Sequence, residues 1–136
     1  MELKYIGKIV PIKSDCLKIL ENILPLCKRD CDYMNNAVAN SDYLIYFTHQ
    51  NNIVAFALVK EKNKKKGKIL DVLFVYANPG SSKMIVQSIC NFANTYNFIY
   101  VSPMAELREI FLQYGFESIW DDGVNEVLEK EIILSD

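Results

Sequence analysis

Residues 69–116 constrain the fold more than any other stretch of the chain. In letters, ILDVLFVYA runs into NPGSSK, then MIVQSICNFANTY, NFIYV and AELREIFLQYGF. The first and fourth pieces are dense in β-branched and aromatic residues and read as strands 69–77 and 98–101. Between them, Met84, Ile85, Ile89, Phe92, Ala93 and Tyr96 fall on one helical face. A strand, a helix and a second strand joined in this way form a crossover unit, so the two strands are expected to lie parallel and adjacent. A further helix at 105–114 carries the stripe Leu107, Ile110, Phe111 and Tyr114, and Gly115 follows as a C′ residue that accepts positive φ.

The remaining segments extend this unit into a larger sheet. Residues 3–12 alternate apolar and polar side chains as a first strand. Ser14 and Asp15 offer an N-cap, and Leu17, Leu20, Ile23, Leu24 and Cys27 follow at helical spacing, with Pro25 ending or kinking that helix. A short second helix is read around 33–39. Segments 42–48 and 53–60 are strand-like, and the polar turn HQNN joins them as a hairpin. EKNKKKGK reads as a solvated hairpin turn, and 117–120 and 127–134 as a closing pair of strands. The order β-α-α-β-β-β-α-β-α-β-β predicts an α/β protein, a mixed sheet of about six or seven strands with helices on both faces, folded as one domain over residues 1–136.

Composition removes several function classes. The chain has 136 residues, 51% hydrophobic and 24% charged, with a net charge of −2, so no global field draws nucleic acid to it. Cys16, Cys27, Cys31 and Cys90 form no Cys-x-x-Cys pair, and no metal site is expected; the thiols read as reduced, buried or half-buried. No signal core and no long apolar run is present, which predicts a soluble cytoplasmic protein without membrane contact. His49 is the sole histidine and falls in the predicted hairpin turn. Six lysines between 60 and 68 lack interleaved aromatics and read as a solvated face, as do the carboxylates from Asp121 onward. Many Lys, Asn and Ile with only two arginines is the bias of an AT-rich genome, as in large DNA viruses, protozoa or low-GC bacteria. No Ser-His-Asp set, P-loop or dinucleotide fingerprint occurs.

A small-residue turn ahead of a helix gathers unpaired N–H groups and the positive end of the helix dipole, a ready phosphate site. Ala77-Asn78-Pro79-Gly80-Ser81-Ser82, with the element order around it, resembles the acetyl-CoA-binding half of the GNAT family of N-acetyltransferases. That family's loop has the form Arg/Gln-x-x-Gly-x-Gly/Ala; Gly80 matches its first glycine, Ser82 stands for the second small residue, and Ala77 replaces the Arg or Gln. The resemblance implies acetyl-CoA as cosubstrate, held by Gly80, Ser81, Ser82 and Lys83 at its pyrophosphate. It also implies that the main chain of Leu73, Val75 and Ala77 pairs with the pantetheine arm, where the strands 69–77 and 98–101 splay apart. Asp71 resembles the family's general base.

The family's acid is a tyrosine four residues before the Gly-Phe. Here that position is Phe111, which has no proton to give and is expected to face the same cleft, leaving Tyr114 as the candidate substitute. The expected function is an acetyl-CoA-dependent N-acetyltransferase acting on an amine, a small molecule or a protein. The alternative is a catalytically inactive protein of the same fold that works through a protein partner. Monomer and homodimer stay open.

Overall fold

The computed structural model describes residues 6–11, 31–50, 52–103 and 105–132. The helix expected from Ser14 to Cys27 lies outside the described residues. The strands are β1 (Ile6–Pro11), β2 (Tyr43–His49), β3 (Asn52–Lys64), β4 (Gly67–Ala77), β5 (Phe98–Val101), β6 (Glu117–Asp121) and β7 (Glu126–Glu131). The helices are α1 (Cys31–Asn40), α2 (Ser82–Phe92), which ends in a 3₁₀ turn at Ala93–Thr95, and α3 (Ala105–Gln113). All seven strands join one sheet in the order β1-β2-β3-β4-β5-β7-β6. Every neighbouring pair is antiparallel except β4 and β5, which run parallel, the arrangement the crossover order predicts.

The two faces of the sheet are covered from different parts of the chain. Ile45, Ala57, Leu70, Val72 and Val75 meet Ile85, Val86 and Ile89 of α2 and Leu107 and Phe111 of α3. On the opposite face, Leu44, Tyr46, Phe56, Leu58 and Phe74 meet Ala37 and Val38 of α1. The period-2 alternation of each strand divides its side chains between these layers. In β4 the alternation is interrupted once. Leu58 lies opposite Phe74 and Val59 opposite Val72, so Leu73 is an extra, bulged residue.

Among the boundaries that differ from the sequence expectation are these three. The lysine-rich connection is not a long turn: β3 runs to Lys64 and β4 begins at Gly67, so only Lys65 and Lys66 turn the corner. Alternating lysines on an extended strand keep their ammonium groups at the surface without leaving the ladder. The HQNN turn is likewise shorter. His49 belongs to β2, paired with Asn52 and half-buried, rather than to a surface turn. The helix after β4 stops at Phe92, four residues early, as Tyr96 N–H bonds back to Ala93 C=O in the 3₁₀ turn.

The end of α3 follows a Schellman motif. Phe116 N–H bonds to Phe111 C=O at 3.2 Å and Gly115 N–H to Leu112 C=O at 3.1 Å, with Gly115 at φ +93°. The Phe111 and Phe116 rings meet edge to face with centroids 5.0 Å apart, the apolar contact that accompanies this cap.

Candidate functional site

The parallel ladder between β4 and β5 is short. It pairs Ile69 with Phe98 through Val72 with Val101 and then stops, because β5 ends there while β4 continues to Ala77. The distal half of β4 keeps β3 on one side only. Asn78 N–H donates to Val54 C=O at 2.8 Å. Successive peptide groups of a strand alternate sides, so the main chain of Phe74 and Tyr76 also turns toward β3. The N–H and C=O groups of Val75 and Ala77 turn instead toward the edge that β5 has left. Buried backbone groups require partners, so an edge opened in this way is a place for an extended ligand to pair.

The strand leads directly into the turn before α2. Ser81 N–H bonds to Asn78 C=O at 2.9 Å, and Ile85 N–H makes the first helical bond, to Ser81 C=O at 3.2 Å. The N–H groups of Ser82, Lys83 and Met84 thus belong to the first turn, whose donors have no intrahelical acceptor. Ser81 is buried at the N-cap, and Lys83 is exposed. Gly80 has φ +91°, and a Cβ added there would meet nothing within 4 Å. The backbone is therefore bare at this point, and a ligand can approach it closely. Asn78 Oδ1, in the turn, accepts a hydrogen bond from the Tyr76 hydroxyl.

Asp71 sits one residue before the strands part. Leu70 and Val72 face α2, so Asp71 faces the α1 side, where its Oδ2 lies 2.7 Å from Lys62 Nζ. Both side chains are partly open to solvent, so the pair contributes little to stability, about 0–1 kcal/mol. Tyr100 is the register partner of Asp71 on β5. Ile99 and Val101 enter the α2–α3 core, which turns Tyr100 to the Asp71 side. Burial pushes its hydroxyl above the usual phenol range, and a hydrogen bond to Glu129 adds to that; Lys66 Nζ, 3.3 Å away, opposes it. Tyr100 is therefore a neutral hydroxyl at physiological pH.

Beside Asp71 is a hollow of about 500 Å³ whose described lining comprises Asn36, Ala37 and Asn40 of α1, Lys60 and Lys62 of β3, and the bulged Leu73. Taking the lysine run for a solvated turn hides Lys60 and Lys62. The signal that would find them is the turn itself: a hairpin closing at Lys65-Lys66 sets Lys60 opposite Asp71.

The expectation for the final helix is corrected. Phe111 is fully buried in the α2–α3 core and does not face the Asp71 side. Tyr114 packs against the same core, and its carbonyl accepts a hydrogen bond from Lys130 Nζ at 2.6 Å. The Schellman cap recruits the aromatic residue at position 111 for packing with Phe116, and this arrangement brings neither ring to Asp71. Among the described residues, no group of three or more His, Cys, Asp or Glu is placed to hold a metal ion. Among them, no helix is long and apolar enough to cross a membrane. Cys90 is half-buried, and burial raises its thiol pKa.

No protein-family model matches the sequence, and no curated protein matches it. Solved structures do match. An acyl-CoA N-acyltransferase from Pseudomonas aeruginosa is similar over 93% of this chain and 99% of its own, with a TM-score of 0.74 at 13% identity. A GNAT-family acetyltransferase from Streptococcus pneumoniae is similar over 96% and 100%, with a TM-score of 0.65 at 10% identity. Arabidopsis thaliana Naa50, in complex with the bisubstrate analogue CoA-Ac-MVNAL, is similar over 93% and 99%, with a TM-score of 0.63 at 12% identity. The likeness is one of architecture: this chain has the α/β fold of the GNAT acetyltransferases.

Proposed function

We propose that the chain is an acetyl-CoA-dependent N-acetyltransferase that acts on an amine. The observation that carries this reading is the parting of β4 from β5 after Val72 and Val101, with a bare-backbone turn at Gly80 where the freed strand meets a helix N-terminus. An extended arm that ends in phosphates fits that edge and that turn together: Val75 and Ala77 offer main-chain pairing, and Gly80, Ser82 and Lys83 offer N–H groups to the anion. The CoA-containing analogue held by Naa50, a protein of this fold, supports the same reading. In the transfer, the amine nitrogen attacks the thioester carbonyl, a C–N bond forms, and the C–S bond breaks. Asp71, directly or through a water, takes the proton the amine must lose, and the departing thiolate is reprotonated.

Calorimetry with acetyl-CoA tests the reading. Micromolar binding, on the order of −8 kcal/mol, is expected. Asn and Asp both tolerate positive φ, so Gly80→Asn and Gly80→Asp share the same backbone and differ in charge. Gly80→Asn should retain binding and Gly80→Asp should lose it. Equal affinity in the two variants, or no wild-type binding at millimolar ligand, overturns the phosphate assignment.

A second reading, a GNAT-fold protein that binds a partner without catalysis, is favoured by Phe111 lying in the core and by Ala77 standing where the family has Arg or Gln. It gains ground if acetyl-CoA binds but polyamines, peptide N-termini and lysine peptides all fail to consume it.

A further inference from the structure

We infer that the acceptor carries a carboxylate next to its amine, and that the hollow between α1 and β3 is built for an amino-acid-type zwitterion. This inference rests on the acetyltransferase reading and narrows it to a substrate class. A hollow of about 500 Å³ is the size of a small-molecule site. Its described lining is made by Lys60 and Lys62, the amide side chains Asn36 and Asn40, and apolar Ala37 and Leu73, with no carboxylate among them. Lys60 has no ion pair among the described residues, while Lys62 is paired with Asp71 at the rim. Lys60 is the register partner of Asp71 across β3 and β4, so the positive lining and the carboxylate are immediate neighbours.

That charge layout selects among amines. An ammonium approaching Asp71 competes with Lys62 for the carboxylate. A simple diamine brings a second cation toward Lys60 and Lys62 and is repelled. A zwitterion gives Asp71 an ammonium and gives Lys60 and Lys62 a carboxylate, so no charge in the exchange loses its partner. Asn40 Nδ2 already gives one N–H to the Asn36 main-chain carbonyl at 2.8 Å, so its second N–H and the Asn36 amide can donate to the same carboxylate, and Ala37 and Leu73 can cover an aliphatic side chain. Charge-assisted contacts of this kind are the stronger class of hydrogen bond.

The test compares a panel of α-amino acids with the matched amino-acid amides, which lack the carboxylate, and with 1,4-diaminobutane. In acetyl transfer, at least one amino acid should exceed its amide about tenfold or more in kcat/KM, and the diamine should be poorer still. Lys60→Gln should erase the preference through KM with kcat kept, and Lys60→Arg should restore it. A second readout needs no acetyl-CoA: the side-chain amide NMR signals of Asn36 and Asn40 should shift when the amino acid is titrated in, and not with its amide or with acetate at equal concentration. Amides or the diamine performing as well as the acids, indifference to Lys60→Gln, or equal shifts with acetate overturns the inference. If acetyl-CoA does not bind but the amino acid moves Asn36 and Asn40, the acetyltransferase reading fails and the zwitterion site stands. If acetyl transfer proceeds without a carboxylate preference, the zwitterion site fails and the acetyltransferase reading stands.

Discussion

The α2–α3 face of the sheet buries Val72, Val75, Ile89, Leu107 and Phe111 together. The α1 face buries Phe56, Leu58 and Phe74 toward one end of β3 and β4, and leaves Lys60, Lys62 and Asp71 half-covered toward the other. β4 supplies both layers from adjacent residues. Around Asp71, one side of the strand holds the structure together, and the other exposes titratable groups beside a hollow. A substitution on the first side should therefore register in stability, and one on the second in ligand handling.

The largest effect is expected at Phe111. Phe111→Ala should cost about 3–5 kcal/mol in denaturant unfolding, through lost burial and the cavity left beside Phe116. Phe111→Tyr should also destabilise, by about 1–3 kcal/mol, since it buries a hydroxyl among apolar neighbours. A Tyr variant as stable as wild type and more active would show that the ring reaches the cleft, and the division between the faces would fail there.

Asp71→Asn should do the reverse. Turnover should fall by roughly 10²-fold, the scale of a positioned base. Unfolding should change by no more than about 1 kcal/mol, because the Lys62 pair is partly exposed. Full activity with lost stability would place Asp71 among the structural residues. At the helix end, Gly115→Ala should cost about 1–2 kcal/mol by forcing a Cβ into a left-handed backbone. Acetyl-CoA affinity, measured alongside, should not move.

The smallest effect concerns the tie between α3 and β7. Arg108 Nε donates to Glu126 Oε1 at 2.6 Å and its Nη2 to Oε2 at 3.1 Å, and this fork holds the Glu126 carboxyl below the usual range. A carboxyl that is more acidic in the folded state stabilises the fold above its unfolded pKa. That contribution is lost as the pH falls through the lowered folded value. Glu126→Gln should therefore melt slightly lower than wild type at neutral pH, and the two melting curves should converge once the pH has fallen below the lowered folded value. A gap that persists in acid would mean that packing, not charge, is what the substitution removes.

The architecture is legible in the sequence because its signals are periodic. The β-branched and aromatic runs of 42–48 and 53–60, the 3.6-residue face from Met84 to Tyr96, and Gly115 each reflect a local preference that tertiary contacts reinforce. The Gly80 turn is legible for the same reason, since positive φ narrows the choice of residue. The site is less so. Phe111 occupies a spacing shared by a family's catalytic tyrosine and by the apolar contact of a helix cap, and one-dimensional spacing does not separate the two. Lysines 60–66 read as loop because charge suggests solvent, although alternate positions of a strand meet that need equally well. Main-chain pairing at Val75 and Ala77 asks nothing of side chains, so no sequence pattern announces it.

The bulge at Leu73 makes β4 one residue longer than its partner strand requires. Counting along the chain, Leu70 and Val72 face one way, and Val75 and Ala77 again face that way only because one residue between them is surplus. Deleting Leu73 would leave Phe74 to Ala77 opposite their present partners on β3 and on their present faces. Deleting Asp71 or Val75, which have regular places in the ladder, forces a choice between turning several side chains inside out and absorbing the surplus. In a scan of single-residue deletions along β4, position 73 should be the most tolerant, and the expected loss there is the local bend in the strand and one apolar wall of the hollow rather than the fold.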